Sequence, residues 1–388
     1  MTLKLITAKI ENFKSLGDVE LSFRDLTVIV GSNSSGKSNS LEALKFTKNL
    51  LVSDSLSMEY IQKAIRLGTQ NICLTIVVEN DGDQAQYSVC VASNKKKNWI
   101  ASETLIVNGT EVIKIINGKG EVSDEDGKNT QKYKSDPENI ESLALRFAGN
   151  FGNKPFTEKL ATYIREWEFY DIDPSSIRLY EKFNELFNFK SKVPSLDDDA
   201  SDIQEVLDYW AKNQIDTIEK ISKELEICLN IKLDIDGEKD QNIKFLEGDG
   251  KKMPLVSMSD GTLRLIAYLT LLYQEDANMP TLIAIEEPER NFHPGILKDI
   301  ASIMKRLSKK TQVVFTTHSS QLLDSFSPEE ISSEISVILL SQKSGLGTTA
   351  CLLDKLTENH DDISDWMTDF GIGSAIYHSS LIEGILAS

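Results

Sequence analysis

Leu26-Thr27-Val28-Ile29-Val30-Gly31-Ser32-Asn33-Ser34-Ser35-Gly36-Lys37-Ser38-Asn39-Ser40-Leu41-Glu42-Ala43-Leu44-Lys45-Phe46 decides how the chain is read. Leu26–Val30 is a β-branched, apolar run and reads as a buried strand. Ser38–Phe46 reads as a helix. Between them Gly31–Ser38 fits G-x-x-x-x-G-K-[ST] without a mismatch, in the strand–loop–helix setting that the motif needs. The glycines let the backbone curl so that its N–H groups point at phosphate oxygens. The helix N-terminus adds partial positive charge. Lys37 is expected to reach the β- and γ-phosphates of a nucleotide, and the Ser38 hydroxyl to ligate Mg²⁺. Ser32, Asn33, Ser34, Ser35, Gly36, Lys37, Ser38 and Asn39 are therefore the candidate nucleotide contacts.

The whole chain has 388 residues, 40% hydrophobic and 26% charged, an ordinary globular composition. No apolar run approaches the roughly 18 residues of a membrane span, so no membrane role is expected. Met1–Ile10 alternates like a strand and lacks the apolar core of a signal peptide. Cys73, Cys90, Cys228 and Cys351 form no C-x-x-C pair and suggest neither a zinc knuckle nor a disulfide framework. A cytoplasmic location follows as the expectation. The net charge of −18 weighs against nucleic acid as the main partner. No motif requires nucleic acid.

Outward from the loop, residues 3–13 and 18–30 read as strands. Ile72–Glu79, Gln86–Ala92, Glu103–Val107 and Glu111–Ile116 read as an antiparallel insertion, with Asn108-Gly109 as a hairpin signal. Asn117–Asp136 reads as a polar, mobile loop. Pro137–Leu229 reads as mainly helical, with Ile203, Val206, Leu207, Trp210, Ile218, Ile221 and Leu225 as a core stripe. Asp197-Asp198-Asp199 reads as a helix-start acid cluster rather than a metal site. Strands are expected at Ile231–Ile235 and Asn242–Leu246. After Pro254 the pattern becomes helix Gly261–Tyr273, strand Leu282–Glu286, helix Gly295–Leu307, strand Gln312–Thr316. That alternation argues for a parallel sheet with helical crossovers. Ser336–Leu340 and Thr349–Leu353 add candidate strands. The fold class is α/β, a mixed sheet with a parallel core, an antiparallel insertion and a helical lobe. The expected lobes are 1–135, 136–250 and 251–388.

Three further stretches belong with the loop. Leu282–Glu286 runs into Glu287-Pro288-Glu289. Glu286 at the strand end can hold Mg²⁺ beside Ser38, and Glu287 can polarise a water for attack on the γ-phosphate. Val313–Thr317 ends at His318, placed to contact the γ-phosphate or orient that water. Ser259-Asp260-Gly261-Thr262 opens a helix. Ser259 and Gly261 there form a second anion-binding surface, or Ser259 or Asp260 is an ordinary cap.

Taken together the motifs resemble the ABC-type ATPase heads of the SMC, Rad50 and RecF group. Gly31–Ser38 matches that group's Walker A motif, Ile283–Glu287 its Walker B, Ser259–Thr262 its signature and Glu289–His293 its D-loop. His318 matches its switch histidine. Asn12-Phe13-Lys14-Ser15 resembles a segment that lies over the nucleotide there, which makes Lys14 a candidate phosphate contact. The likeness is greatest to the stand-alone AAA_21 ATPases and the ATPase half of the OLD family. It is carried by Glu286–Glu289, Ser259–Arg264, Trp167-Glu168-Phe169-Tyr170 with Pro174 and Arg178, and Phe370–Ala375. The chain departs from the commoner pattern at Glu286, at Asp260 and at Arg290-Asn291-Phe292, and it offers no identifiable Q-loop glutamine.

The resemblance implies a P-loop NTPase of ABC-head type that hydrolyses ATP with Mg²⁺. It implies a head-to-tail homodimer, or a higher homo-oligomer, with ATP sandwiched between each loop and the partner's Ser259. Between Ser38 and Ser259 there are no sustained heptads, and after His318 no spaced acid set of the kind a two-metal nuclease needs. The expectation is therefore the sensor or scaffold ATPase of a multi-component prokaryotic anti-phage system, controlling a separately encoded effector. The alternatives are a RecF-like DNA-repair ATPase and a nucleotide-gated assembly module with negligible turnover.

Overall fold

The computed structural model describes residues 3–53, 55–139, 143–150, 152–187, 196–236, 242–246, 248, 250–343, 345 and 347–377. The strands are β1 (Lys4–Phe13), β2 (Leu16–Ser22), β3 (Leu26–Gly31), β4 (Asn71–Asn80), β5 (Asp83–Ser93), β6 (Asn98–Val107), β7 (Thr110–Ile116), β8 (Lys119–Val122), β9 (Gln131–Lys134), β10 (Trp167–Tyr170), β11 (Lys232–Asp236), β12 (Asn242–Leu246), β13 (Lys252–Met253), β14 (Leu282–Glu286), β15 (Gln312–Thr317), β16 (Ile335–Lys343) and β17 (Gly347–Leu352). Fourteen of them form one sheet in the order β10-β14-β15-β3-β16-β17-β2-β1-β4-β5-β6-β7-β8-β9, and β11-β12-β13 form a second.

From β10 to β16 the neighbours are parallel. A parallel sheet covered on both faces favours strands that are apolar throughout. All six residues of β3 and all six of β15 are accordingly buried. Helix Leu297–Ser308 connects β14 to β15, helix Lys37–Val52 leaves the end of β3, and helix Asp260–Tyr273 precedes β14. β1, β2 and β4–β9 are antiparallel. In β4 alternate residues are buried, so one face of the insertion carries the core and the other meets solvent. One apolar cluster lies against the helical side of the parallel core and includes Ile203, Val206, Leu207, Trp210, Ile218, Ile221 and Leu225. A second fills the space between the antiparallel strands and helix Lys37–Val52. This is the mixed α/β sheet that the alternating pattern predicts.

Four local expectations are corrected. The single run 18–30 is two strands, because Phe23-Arg24-Asp25 turns: Phe23 N–H bonds Ile6 O at 2.8 Å, and Arg24 N–H bonds Thr27 Oγ1 at 3.1 Å. Asn117–Asp136 is not a free loop. Asn117 and Gly118, both at positive φ, reverse the chain, and β8 and β9 pair through their backbones. Trp167–Tyr170, read inside a helical stretch, is instead strand β10, in parallel register with Leu282–Ile285. Cys73 and Cys90 are directly opposed in β4 and β5, Cα to Cα 4.2 Å, and form a disulfide. Sequence spacing alone does not reveal that cross-strand register. The Asp197–Asp199 carboxylates serve the turn and the surface: Asp199 accepts from Ser201 N–H at 3.0 Å and Asp198 pairs with Lys45 at 3.1 Å.

Candidate nucleotide-binding site

The site lies where β3, β14 and β15 end side by side. In a parallel α/β sheet, ligands bind at the carboxyl ends of the strands. Gly31 leaves β3 and the chain curls through Ser34 at φ 67° and Gly36 at φ 105°. A Cβ on Gly36 would lie 2.7 Å from Thr348 Oγ1 and 3.0 Å from Ser15 Oγ, so neither space nor backbone angle admits a larger residue. Ser32, Asn33 and Ser34 are exposed at the rim, and Ser35, Gly36 and Lys37 are buried. Lys37 Nζ donates to Gly31 O at 2.8 Å and Ser32 O at 3.1 Å. Burial lowers the Lys37 pKa, and the charges of Glu287, Glu289 and Glu286 oppose that shift. Asn39 Nδ2 donates to Ser15 Oγ at 2.8 Å, which ties the helix start to the turn after β1. Lys14 on that turn is ion-paired with Glu42.

Ser38 Oγ donates to Glu286 Oε2 at 3.0 Å. Burial raises the Glu286 pKa, the Ser38 hydrogen bond opposes this, and Asp171 and Glu287 add to it. Ser38 and Glu286 offer hydroxyl and carboxylate oxygens, the hard donors that suit Mg²⁺. Glu287 sits at φ 43°, held by N–H bonds to Thr316 O at 3.1 Å and Thr316 Oγ1 at 3.2 Å. That turn carries its carboxylate to His318, whose Nδ1 is 3.0 Å from Glu287 Oε1. Arg290 reaches the other oxygen, Oε2, at 3.4 Å. The structure thus brings Ser38, Glu286, Glu287 and His318 to one edge of the sheet.

Ser259 is the N-cap of helix Asp260–Tyr273. Its Oγ accepts from Thr262 N–H at 3.1 Å and lies 2.8 Å from Thr262 Oγ1. Gly261 is confined by the turn after β14, where a Cβ would lie 2.9 Å from Asn291 O. Arg178, 2.8 Å from Asp260 Oδ1, also donates to Met258 O at 2.8 Å and steadies the approach to this helix.

Sequence reasoning missed three neighbours. Asp171 follows β10 and, with Leu41, Glu42, Lys45, Phe169 and Glu286, lines a groove of about 230 Å³ beside the site. Gln342 Nε2 donates to Ser34 O at 2.7 Å. Tyr377 Oη donates to Thr317 O at 3.4 Å. The aromatic run Trp167–Tyr170 was the available signal for Asp171. Gln342 and Tyr377 carry none, because strand pairing and packing of distant segments bring them in.

The fold and this site are those of a P-loop NTPase with an SMC-head-like sheet. The family model AAA_21, described as "AAA domain, putative AbiEii toxin, Type IV TA system", matches residues 116–324, more than half of the chain. The chain belongs to that family. A second model, AAA_15, "AAA ATPase domain", matches residues 1–142. No curated protein matches the chain. Among solved structures, an SMC head bound to the C-terminal winged-helix domain of ScpA is 15% identical at a TM-score of 0.53, covering 91% of this chain and 99% of that one. An SMC head with an extended coiled coil, bound to the C-terminal domain of ScpA and derived from Pyrococcus furiosus, is 15% identical at 0.52, covering 94% and 100%. The SMC head domain from Thermotoga maritima is 13% identical at 0.49, covering 90% and 99%. No helix among the described residues is long and apolar enough to cross a membrane.

Proposed function

We propose that the chain binds and hydrolyses ATP with Mg²⁺, and that two copies close head to tail around the nucleotide. The observation that carries this reading is the joint placement of Ser38, Glu286, Glu287 and His318 beside the phosphate loop. On binding, Lys37 leaves the Gly31 and Ser32 carbonyls for the phosphates. Ser38 and Glu286 would hold Mg²⁺, which would supply charge that neutralises the phosphates. Glu287 accepts the proton of the attacking water. The Glu287 carboxylate at Nδ1 orients the His318 ring, and the ring's other edge is the one offered to the γ-phosphate. Such catalysis is positioning and electrostatics. Ser259 and the N-terminus of its helix supply the partner's side of the site, and a self-complementary two-fold contact makes two such sites.

We further propose that the dimer is the sensor or scaffold of a prokaryotic anti-phage system and controls a separate effector protein. The family description names a toxin–antitoxin system, which is an arrangement of separate components. The SMC head relatives bound to ScpA show this fold carrying a partner protein. The test is Glu287→Gln, assayed for turnover and for mass in solution with ATP. The expected result is a stable dimer without turnover. Wild-type turnover in that variant would remove Glu287 from its role. Isolation from the host with ATP and neighbouring genes intact should yield a second protein in fixed ratio, and recovery of this chain alone would end the effector reading.

A further inference from the structure

Gly261, Arg264 and Tyr268 lie at i, i+3 and i+7 of helix Asp260–Tyr273 and so share one face. That face rests on the turn after β14. A Cβ on Gly261 would lie 3.4 Å from the Phe292 ring, the Tyr268 and Phe292 ring centroids are 6.3 Å apart, and Asn291 Nδ2 donates to Asp260 Oδ2 at 3.3 Å. The same turn begins with Glu289, which is 8% exposed. Glu289 Oε1 accepts from Thr317 Oγ1 at 2.6 Å and from His318 N–H at 3.2 Å, and lies 3.6 Å from His318 Nδ1.

Glu289 Oε2, Arg264 Nε and Arg264 Nη1 are buried without a hydrogen-bond partner among the described residues, and the buried Tyr268 hydroxyl stands beside the Arg264 guanidinium without a well-formed hydrogen bond. Arg264 is 3% exposed and Tyr268 fully buried. A buried polar group left unpaired is costly, more so when it is charged, and in a native protein it calls for an explanation. These groups already feel one another. Burial raises the Tyr268 pKa, the Arg264 guanidinium pulls it back, and the Glu289 carboxylate pushes it up.

We propose that Glu289 is a positioning residue that ties His318 to the Ser259 helix. Its Oε1 holds the histidine turn in the arrangement seen here, and its Oε2 receives the Tyr268 hydroxyl, backed by Arg264, when the nucleotide site closes. The two sides of the composite site, His318 within one copy and Ser259 toward the other, are then set together. This inference rests on the ATP-hydrolysing reading above.

Tyr268→Phe removes one hydroxyl and Glu289→Gln one charge, and unchanged melting of each variant establishes that it folds. For each, kcat should fall about tenfold while KM stays within about threefold, and the double variant should be no slower than the worse single one. The His318 ring ¹⁵N signals, assigned with His318→Gln and recorded with a non-hydrolysable ATP analogue bound, should move in both variants. Wild-type kcat in Tyr268→Phe, multiplicative losses in the double variant, or unmoved His318 signals would overturn the tie. A wild-type protein without turnover would instead count against the ATPase reading, and the ring signals would still decide the tie.

Discussion

Ser38 Oγ and Glu286 Oε2 are hydrogen-bonded at 3.0 Å although 248 positions separate them in the chain. The contact exists because β14 and β3 flank β15 in parallel register, so their carboxyl ends open on the same edge. Its two oxygens are the pair proposed to hold Mg²⁺. Ser38→Ala and Glu286→Gln should each weaken Mg²⁺-dependent ATP binding about tenfold or more. Calorimetric titration with and without Mg²⁺ checks this, and an unchanged Mg²⁺ dependence would dismiss the pair as ligands.

Lys37 is held by two loop carbonyls in this state. Burial makes its charge costly there and the phosphates of ATP would compensate that charge, so its value is in binding rather than in folding. Lys37→Ala should fold yet lose the thermal shift that ATP gives the wild type. For a ligand at a hundred times its Kd that shift reflects about 2.7 kcal/mol. Equal shifts in the two proteins would remove Lys37 from the nucleotide.

Glu103 makes an opposite kind of prediction, about stability. It is 1% exposed and accepts from Ala144 N–H at 2.7 Å, Leu145 N–H at 2.9 Å and the Tyr87 hydroxyl at 3.2 Å. Burial pushes its pKa up to about 7 despite those bonds. The folded chain therefore keeps a proton that the unfolded chain releases near the ordinary value of about 4.3. Its contribution is full below that value, declines as pH rises through about 7, and is flat above. Urea midpoints from about pH 5 to pH 8 should fall more steeply in the wild type than in Glu103→Gln. Parallel curves would show that Glu103 does not titrate in this range.

The sequence carried the parallel core because its signals are local. Leu26–Gly31 is apolar from end to end and wholly buried, and the acids of β14 and the histidine after β15 stand at strand ends where chemistry needs them. What escaped was set by pairing between distant segments. The four residues of β10 are too short for periodicity to separate strand from helix. Arg264 and Tyr268 sit in a helix buried on nearly every side, so their shared face has no polar pattern to reveal it. Cys73 and Cys90 become neighbours only once the register of β4 on β5 is known.

That register gives a chemical test. The Cys73–Cys90 disulfide spans 17 positions, and Cys228 and Cys351 are free and half-buried. Burial pushes the Cys228 thiol up to about 11 and also raises Cys351, so both should alkylate slowly in the folded chain. In denaturant without reductant, iodoacetamide should label two cysteines, and after reduction all four. Closing a loop of this length limits the unfolded ensemble by about 3 kcal/mol in the chain-entropy model. The antiparallel partners of β4 and β5 hold the hairpin without the bond, so reduction should lower the urea midpoint without dissolving the fold. Four labels before reduction would mean that the two sulfurs, though opposed, remain thiols, and the midpoint should then be indifferent to reductant.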